Sequence, residues 1–250
     1  VHADMQFGKL KLSTVLSQKK SSTSTVSSSG GAQLSSYEFS ADAYDENRHF
    51  FLAHFFRDRY DDNMKLLPTV ASGITITRIE IWVTNKTGAT TDTRNVVALT
   101  DLGEYSHVTN PQWAATGEEN PNNNANTLYA TLNSNLTDAR NISAVTQVLD
   151  GAGMAGGVDY EKLESARKLS TSEYTLNSAL GYVSLKQTLQ TDQVLAVAFE
   201  YTYRGQTWQV GEFSSDRKDT QEVLYVKALR NTACTPSMGN WHLMMKNVYA

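Results

Sequence analysis

Between residues 193 and 213 the apolar side chains recur at every second position and then turn back on themselves. Leu195, Val197, Phe199, Tyr201 and Tyr203 share one parity, Arg204-Gly205 follows, and Thr207 to Phe213 returns. A period of two marks a β-strand with one covered face. A two-residue connection with glycine second is the strongest short-range hairpin signal. This stretch commits the chain to an antiparallel pair, and the rest must supply a sheet around it.

The other strands are read the same way. Residues 74–85 contain Ile74 and Ile76 on one parity and Ile79, Ile81 and Val83 on the other, so the parity flips around Arg78. A bulge, or two differently covered faces, explains such a flip. Thr87-Gly88 marks a turn, and 95–100 forms a strand expected to pair with 74–85 across it. Residues 222–229 form another strand. Residues 159–177 fit either strand or helix. At the start, 6–17 alternate crudely, then a Ser/Thr tract at 21–29 runs into Gly30-Gly31; firm order is expected from Tyr37.

Helical periodicity appears in two long stretches. In 42–67, Phe51, Leu52, Phe55 and Phe56 fall at i, i+1, i+4 and i+5, with Asp42 placed to cap and Pro68 to stop the helix. Near the end, Trp241, Met244, Met245 and Val248 fit i, i+3, i+4, i+7 from about Ser237. Residues 125–136 and 139–149 carry shorter helical patterns, the second with Ile142, Val145, Val148 and Leu149 on one face. The class expected is α+β: a mixed or antiparallel sheet packed by two long amphipathic helices plus short ones. Residues 1–34 read as a strand or hairpin lead-in and 35–250 as a globular module. Within it, 110–157 reads as a surface insertion or a junction between subdomains.

Composition narrows the function classes. The 250 residues carry a net charge of −4 and no basic cluster beyond Lys19-Lys20, which argues against nucleic acid. A lone Cys234 cannot form an intrachain disulfide and reads as a small buried hydrophobe. No apolar run reaches the length of a membrane-spanning helix, and no secretory leader is recognisable, which fits an excised fragment as well as a cytosolic protein.

His49 and His54 are the most tempting metal pair, but five residues rotate two helical side chains apart by about 140°, whereas zinc-binding helices use i, i+4. Asp45 with His49 and His54 with Asp58 read instead as local partners. The adjacent acids Asp61-Asp62 and Glu118-Glu119 read as solvated faces rather than an acid–base pair. No cofactor, metal or catalytic residue is expected. Trp113, in a loop after Pro111, is the candidate exposed anchor for a partner, and in an alternative reading the stacking platform of a glycan- or peptide-binding surface domain.

Several long segments resemble one family. They are Tyr-Asp-Glu-Asn-Arg-His-Phe-Phe-Leu at 44–52, Ser-Gly-Ile-Thr-Ile-Thr-Arg-Ile-Glu-Ile-Trp-Val-Thr-Asn-Lys at 72–86 and Arg-Asn-Val-Val-Ala-Leu-Thr-Asp-Leu-Gly at 94–103. Others are Asp-Tyr-Glu-Lys-Leu-Glu-Ser-Ala-Arg-Lys-Leu at 159–169, Val-Leu-Ala-Val-Ala-Phe-Glu-Tyr-Thr-Tyr at 194–203 and Trp-His-Leu-Met-Met-Lys-Asn-Val-Tyr at 241–249. Together with shorter matches they make most of 37–249 similar to the SprA/Sov family of type IX secretion and gliding motility in Bacteroidetes. The resemblance implies a non-catalytic structural or interaction module inserted in a large outer-membrane β-barrel translocon, on the cell surface rather than in the periplasm. Its implied partners are the remainder of the parent chain, other type IX secretion subunits or secreted cargo, with membrane contact only through the parent barrel. The module would bury the 42–67 helix against the 74–100 and 193–229 strands and present loops 104–157 and 214–221. The chain is much too short to contain the translocon barrel, and 110–157 lacks obvious family text.

Overall fold

Arg204 and Gly205 both take positive φ, 51° and 77°, which is the backbone a tight two-residue hairpin demands. That turn anchors the computed structural model, which describes the backbone of residues 2–7 and 10–15 and residues 40–249. The Ser/Thr tract, Gly30-Gly31 and Tyr37 lie outside the described residues. By contacts the chain divides into Val1–Ser40 and Ala41–Ala250. In the first unit, β1 (His2–Phe7) and β2 (Leu10–Val15) form an antiparallel pair with His2 opposite Val15.

The second unit begins with β3 (His49–Phe51), α1 (His54–Asp58), α2 (Tyr60–Asn63), β4 (Ile74–Val83) and β5 (Thr93–Leu99). Then come α3 (Leu128–Ser134), a 3-10 turn at Thr137–Arg140, and α4 (Val145–Gly151). The strands β6 (Tyr160–Lys168), β7 (Tyr174–Asn177), β8 (Tyr182–Leu185), β9 (Leu195–Tyr203), β10 (Gln206–Val210) and β11 (Leu224–Arg230) follow, then a 3-10 turn at Gly239–Leu243. The ambiguous stretch 159–177 is thus β6 and β7.

Five strands close into a ring. β4 pairs with β9, β9 with β11, β11 with β5, β5 with β6, and β6 returns to β4. All these pairs are antiparallel except β11 with β5. The closing contact is short: Trp82 faces Lys168, Val83 faces Arg167, and the Leu169 amide donates to the Ile81 carbonyl at 2.8 Å. Strands β4 and β5 therefore do not pair with each other as expected, because β6 comes between them. β10 continues beside β9, and β3, β8 and β7 form a separate antiparallel sheet.

Closing so few strands leaves a narrow interior, and the sequence fills it with several alanines around a few larger side chains, Trp82 among them. Ala98, Ala166, Ala196, Ala198 and Ala228 share this inner cluster with Val96, Leu163, Leu224 and Val226. Phe213, fully buried, plugs one end. Arg78 lies 3.7 Å over its ring, and Ser214 donates its backbone N–H to Glu80 at 2.8 Å. Arg94 donates there to the carbonyls of Ser214 and Asp219.

The ring bends at three register shifts, in β4 between Ile76 and Arg78, in β5–β6 at Asn95–Ser165, and in β11 between Ala228 and Arg230. Bulges of this kind supply the curvature closure needs. The first is the parity flip of the sequence: Ile74, Ile76, Ile81 and Val83 all join one outer core despite their opposite parity. That outer core also takes Leu195, Val197, Phe199 and Tyr201, and is covered by Phe50, Phe56, Leu128, Val145 and Met245 among others.

The two long helices are not formed. Residues 42–67 hold only the short α1 and α2, preceded by turns and β3, and Asn47 sits at φ 58°, outside the helical region. Phe50 and Phe51 are both buried because β3 lies between two layers, so adjacent aromatics here reflect a strand covered on both faces. The last segment makes one 3-10 turn and then extends, with Met244 bridged to Phe50. The burial expected of the first segment does occur: Phe56 packs edge-on against Phe199 and Tyr201, and Phe55 against Tyr203. The α+β class stands.

Gly181, in the turn between β7 and β8, has φ 65°, and a Cβ there would sit 2.4 Å from Phe56 Cγ. Gly181→Ala therefore combines a strained backbone with a clash against a fully buried ring. Urea unfolding should show a loss of about 2–4 kcal/mol; a loss under about 0.5 kcal/mol would mean the ring does not pack there.

Candidate functional site

β11 carries a lysine in the middle of an apolar run, and its burial organises the loop after β5. Lys227 is fully buried; its Nζ lies 2.7 Å from Glu104 Oε1 and donates to the Leu102 carbonyl at 3.1 Å. Glu104, equally buried, also accepts the backbone N–H of His54 at 3.2 Å. Burial alone would raise the Glu104 carboxyl, but Lys227 and the His54 interactions outweigh it and hold it low. Asn126 donates to the carbonyls of Asp101 and Glu104, both at 2.8 Å. Asp101 accepts the backbone N–H groups of Thr109 and Asn110, and burial pushes its carboxyl upward despite them. One cation and two carboxylates thus pin 100–110 to the ring.

His54 sits over this group with its ring stacked on His107, centroids 4.3 Å apart. Burial lowers its pKa to about 4, opposed by Glu104 and assisted by Lys227 and His107. Its expected partner Asp58 instead lies 2.8 Å from His107 Nε2. The other expected pair does form, on a strand and a turn rather than a helix: His49 Nε2 lies 3.1 Å from Asp45 Oδ2, and its Nδ1 2.7 Å from Ser184 Oγ.

A second buried hub is Glu212. It accepts from Arg140, Arg217, the Tyr129 hydroxyl and the Tyr225 backbone N–H. Burial would raise its carboxyl, and these donors bring it below the usual range instead. Arg140 also lies 3.7 Å over the Tyr225 ring. The insertion carrying α3, the 3-10 turn and α4 is thereby clamped to β11.

Residues 104–157 thus cover the core with Leu128, Leu132, Val145 and Leu149 while presenting many exposed positions on their other side. Trp113, the expected exposed anchor, is only 7% exposed and belongs to the outer core. A ring following a proline in a loop carries no sequence signal of the cover it receives from the helical insertion. Cys234 is partly buried, and burial raises its thiol.

One of several open clefts, of about 500 Å³, lies between 57–61 and 241–247 and is lined by Arg57, Tyr60, Trp241, His242 and Lys246 among others. No periodicity announced it, because the helical pattern read at 237–248 would have turned these side chains differently. Leu66 and Leu67, 71% and 59% exposed, project from the turn after α2. Among the described residues no group of three or more His, Cys, Asp or Glu is arranged to hold a metal, and no helix is long and apolar enough to cross a membrane.

This is a closed-sheet α+β module whose buried ionisable groups brace loops and whose surface carries open clefts. A family model described as motility related/secretion protein, SprA_N, matches residues 1–209, and the chain belongs to that family. No curated protein matches the chain. The family places the chain within motility and secretion and suggests an envelope location as part of a larger secretion machinery.

The neutral His54 makes stability fall with acid. Its folded pKa of about 4 lies below the ordinary 6.5, so the unfolded chain takes up the proton first as pH drops. The loss starts near pH 6.5, grows to about 3 kcal/mol by pH 4, and is complete below that. The lowered Glu104 carboxyl works in the same direction, its contribution being lost as pH falls below the ordinary glutamate range through its own folded pKa. Urea unfolding of wild type and His54→Leu at pH 7 and pH 4.5 should show a flatter pH dependence in the variant; identical slopes would refute a buried neutral imidazole.

Proposed function

We propose that the chain is a non-catalytic structural and interaction module of an outer-membrane type IX secretion translocon, supporting protein export and gliding motility at the cell surface. Membership of a motility and secretion family is the observation that carries this reading. The disposition of the ionisable groups supports the non-catalytic part. Glu104, Lys227, Glu212 and Arg140 are engaged with one another and with backbone groups, where they fix loops. The contacts that clamp the insertion to the ring suit a structural role, and contact falls to the parent chain, to other secretion subunits or to cargo. The stacking platform of a glycan-binding domain gains nothing here, since the Trp113 ring is buried.

The test is an in-frame deletion of the segment encoding 41–250 from the parent gene, with the level of the remaining chain checked by immunoblot. The expected outcome is cargo retained in the periplasm and loss of spreading on agar. Normal export and spreading at normal protein level would contradict the reading.

A further inference from the structure

Lys246 is held in an unusual way. Its Nζ lies 3.6 Å from the centre of the Trp241 ring and donates to the carbonyls of Trp241 and Met244, both at 2.8 Å. Two carbonyls and the ring face take up its three N–H bonds, but no carboxylate among the described residues neutralises its charge. Arg57 shares the cleft. Among the described residues its acidic contact is Asp58 at 3.4 Å, and Asp58 is already engaged by His107 at 2.8 Å through its other oxygen. His242, exposed, completes a gathering of basic groups in a chain of net charge −4.

These cations act on one another. Burial and Arg57 together bring Lys246 down to about 8, and burial with Arg57, Lys246 and His107 lowers His242. An arriving carboxylate would reverse those shifts, so the cleft is electrostatically unfinished in the free chain. The remaining walls are Phe51, Tyr60, Trp241, two buried methionines, Met244 and Met245, with Asn247 and the carboxylates Asp58 and Asp61. A space of about 500 Å³ with aromatic residues in its walls is larger than a lone inorganic anion uses, and has room for a side chain beside the charge. Asp61, on the α2 rim, is the lining carboxylate without a cation, and it disfavours a second acidic residue next to the first.

We propose that this cleft docks a segment of a protein partner bearing one carboxylate next to a large apolar side chain, the carboxylate seated between Arg57 and Lys246 and the apolar group against Tyr60 and Trp241. The inference extends the interaction role above by naming a surface and a partner chemistry. It depends on that role only for who the partner is, and binding can be tested on the chain alone.

The experiment is calorimetric titration of the full chain with a blocked pentapeptide carrying one Glu beside one Phe among glycines. Saturable binding with Kd below about 1 mM is expected, at least about fivefold weaker for the Gln peptide and in about 0.5 M salt. Lys246→Met and Arg57→Gln should each weaken it by a similar factor; Arg57 is exposed, so its variant keeps the fold, checked by near-ultraviolet circular dichroism. Equal binding of the Glu and Gln peptides would overturn the proposal, as would absence of binding. Inorganic phosphate competing as well as the peptide would make this a small-anion site and overturn the docking claim. Failure of the titration would leave the deletion experiment unaffected, so the two readings fall separately.

Discussion

β9 has both faces buried, and the alternation of large and small side chains along it governs the rest of the architecture. Leu195, Val197, Phe199 and Tyr201 point to the outer core, while Ala196 and Ala198 point into the ring. The alanines of β9 leave room inside the ring for the larger Trp82 and Phe213, because interiors pack to near-crystal density and tolerate neither voids nor excess. Once β9 is fixed, β4 follows on one edge, and β10 and β11 share the other. Gly211 shows how tight the arrangement is: a Cβ there would stand 3.1 Å from that of Ala198.

The polar core does for the loops what the alanines do for the strands. Lys227 and Glu104 are each costly to bury alone, and together they repay that cost only because backbone carbonyls and an amide take up their remaining hydrogen-bonding capacity. Glu212 plays the same part for the helical insertion, collecting two arginines, a tyrosine hydroxyl and a backbone N–H. Long connections in a compact domain are mobile unless anchored in this way. The result is a braced platform bearing a cationic cleft and the exposed Leu66-Leu67 pair, a distribution suited to holding partners in place.

What the sequence disclosed was local. The Arg204-Gly205 hairpin needs only its own residues, and the β4 bulge is written in five isoleucine and valine positions whose parity flips at Arg78. The pairing of β4 with β9 and β6, rather than β5, depends on contacts distant in the chain, which no short pattern encodes. Phe51 of β3 prolongs the helical stripe of Phe55-Phe56 in α1 because a strand between two layers also buries neighbours. Lys227 was hidden inside a strand-like run, where a single lysine reads as an edge or a surface position. Its partner Glu104 lies far from it in sequence. The cleft was invisible for a related reason: Trp241 and Lys246 meet through a 3-10 turn and an extended segment where periodicity suggested a helix.

Closure of the ring is the claim on which this account rests, and its thinnest point is the contact between β4 and β6. Amide hydrogen exchange at Leu169, whose N–H reaches the Ile81 carbonyl across that contact, tests it most directly. The closed ring predicts protection comparable to the amides of central β9, with exchange requiring global unfolding. Exchange within about tenfold of an unprotected amide, while β9 stays protected, would show an open sheet and contradict the architecture described.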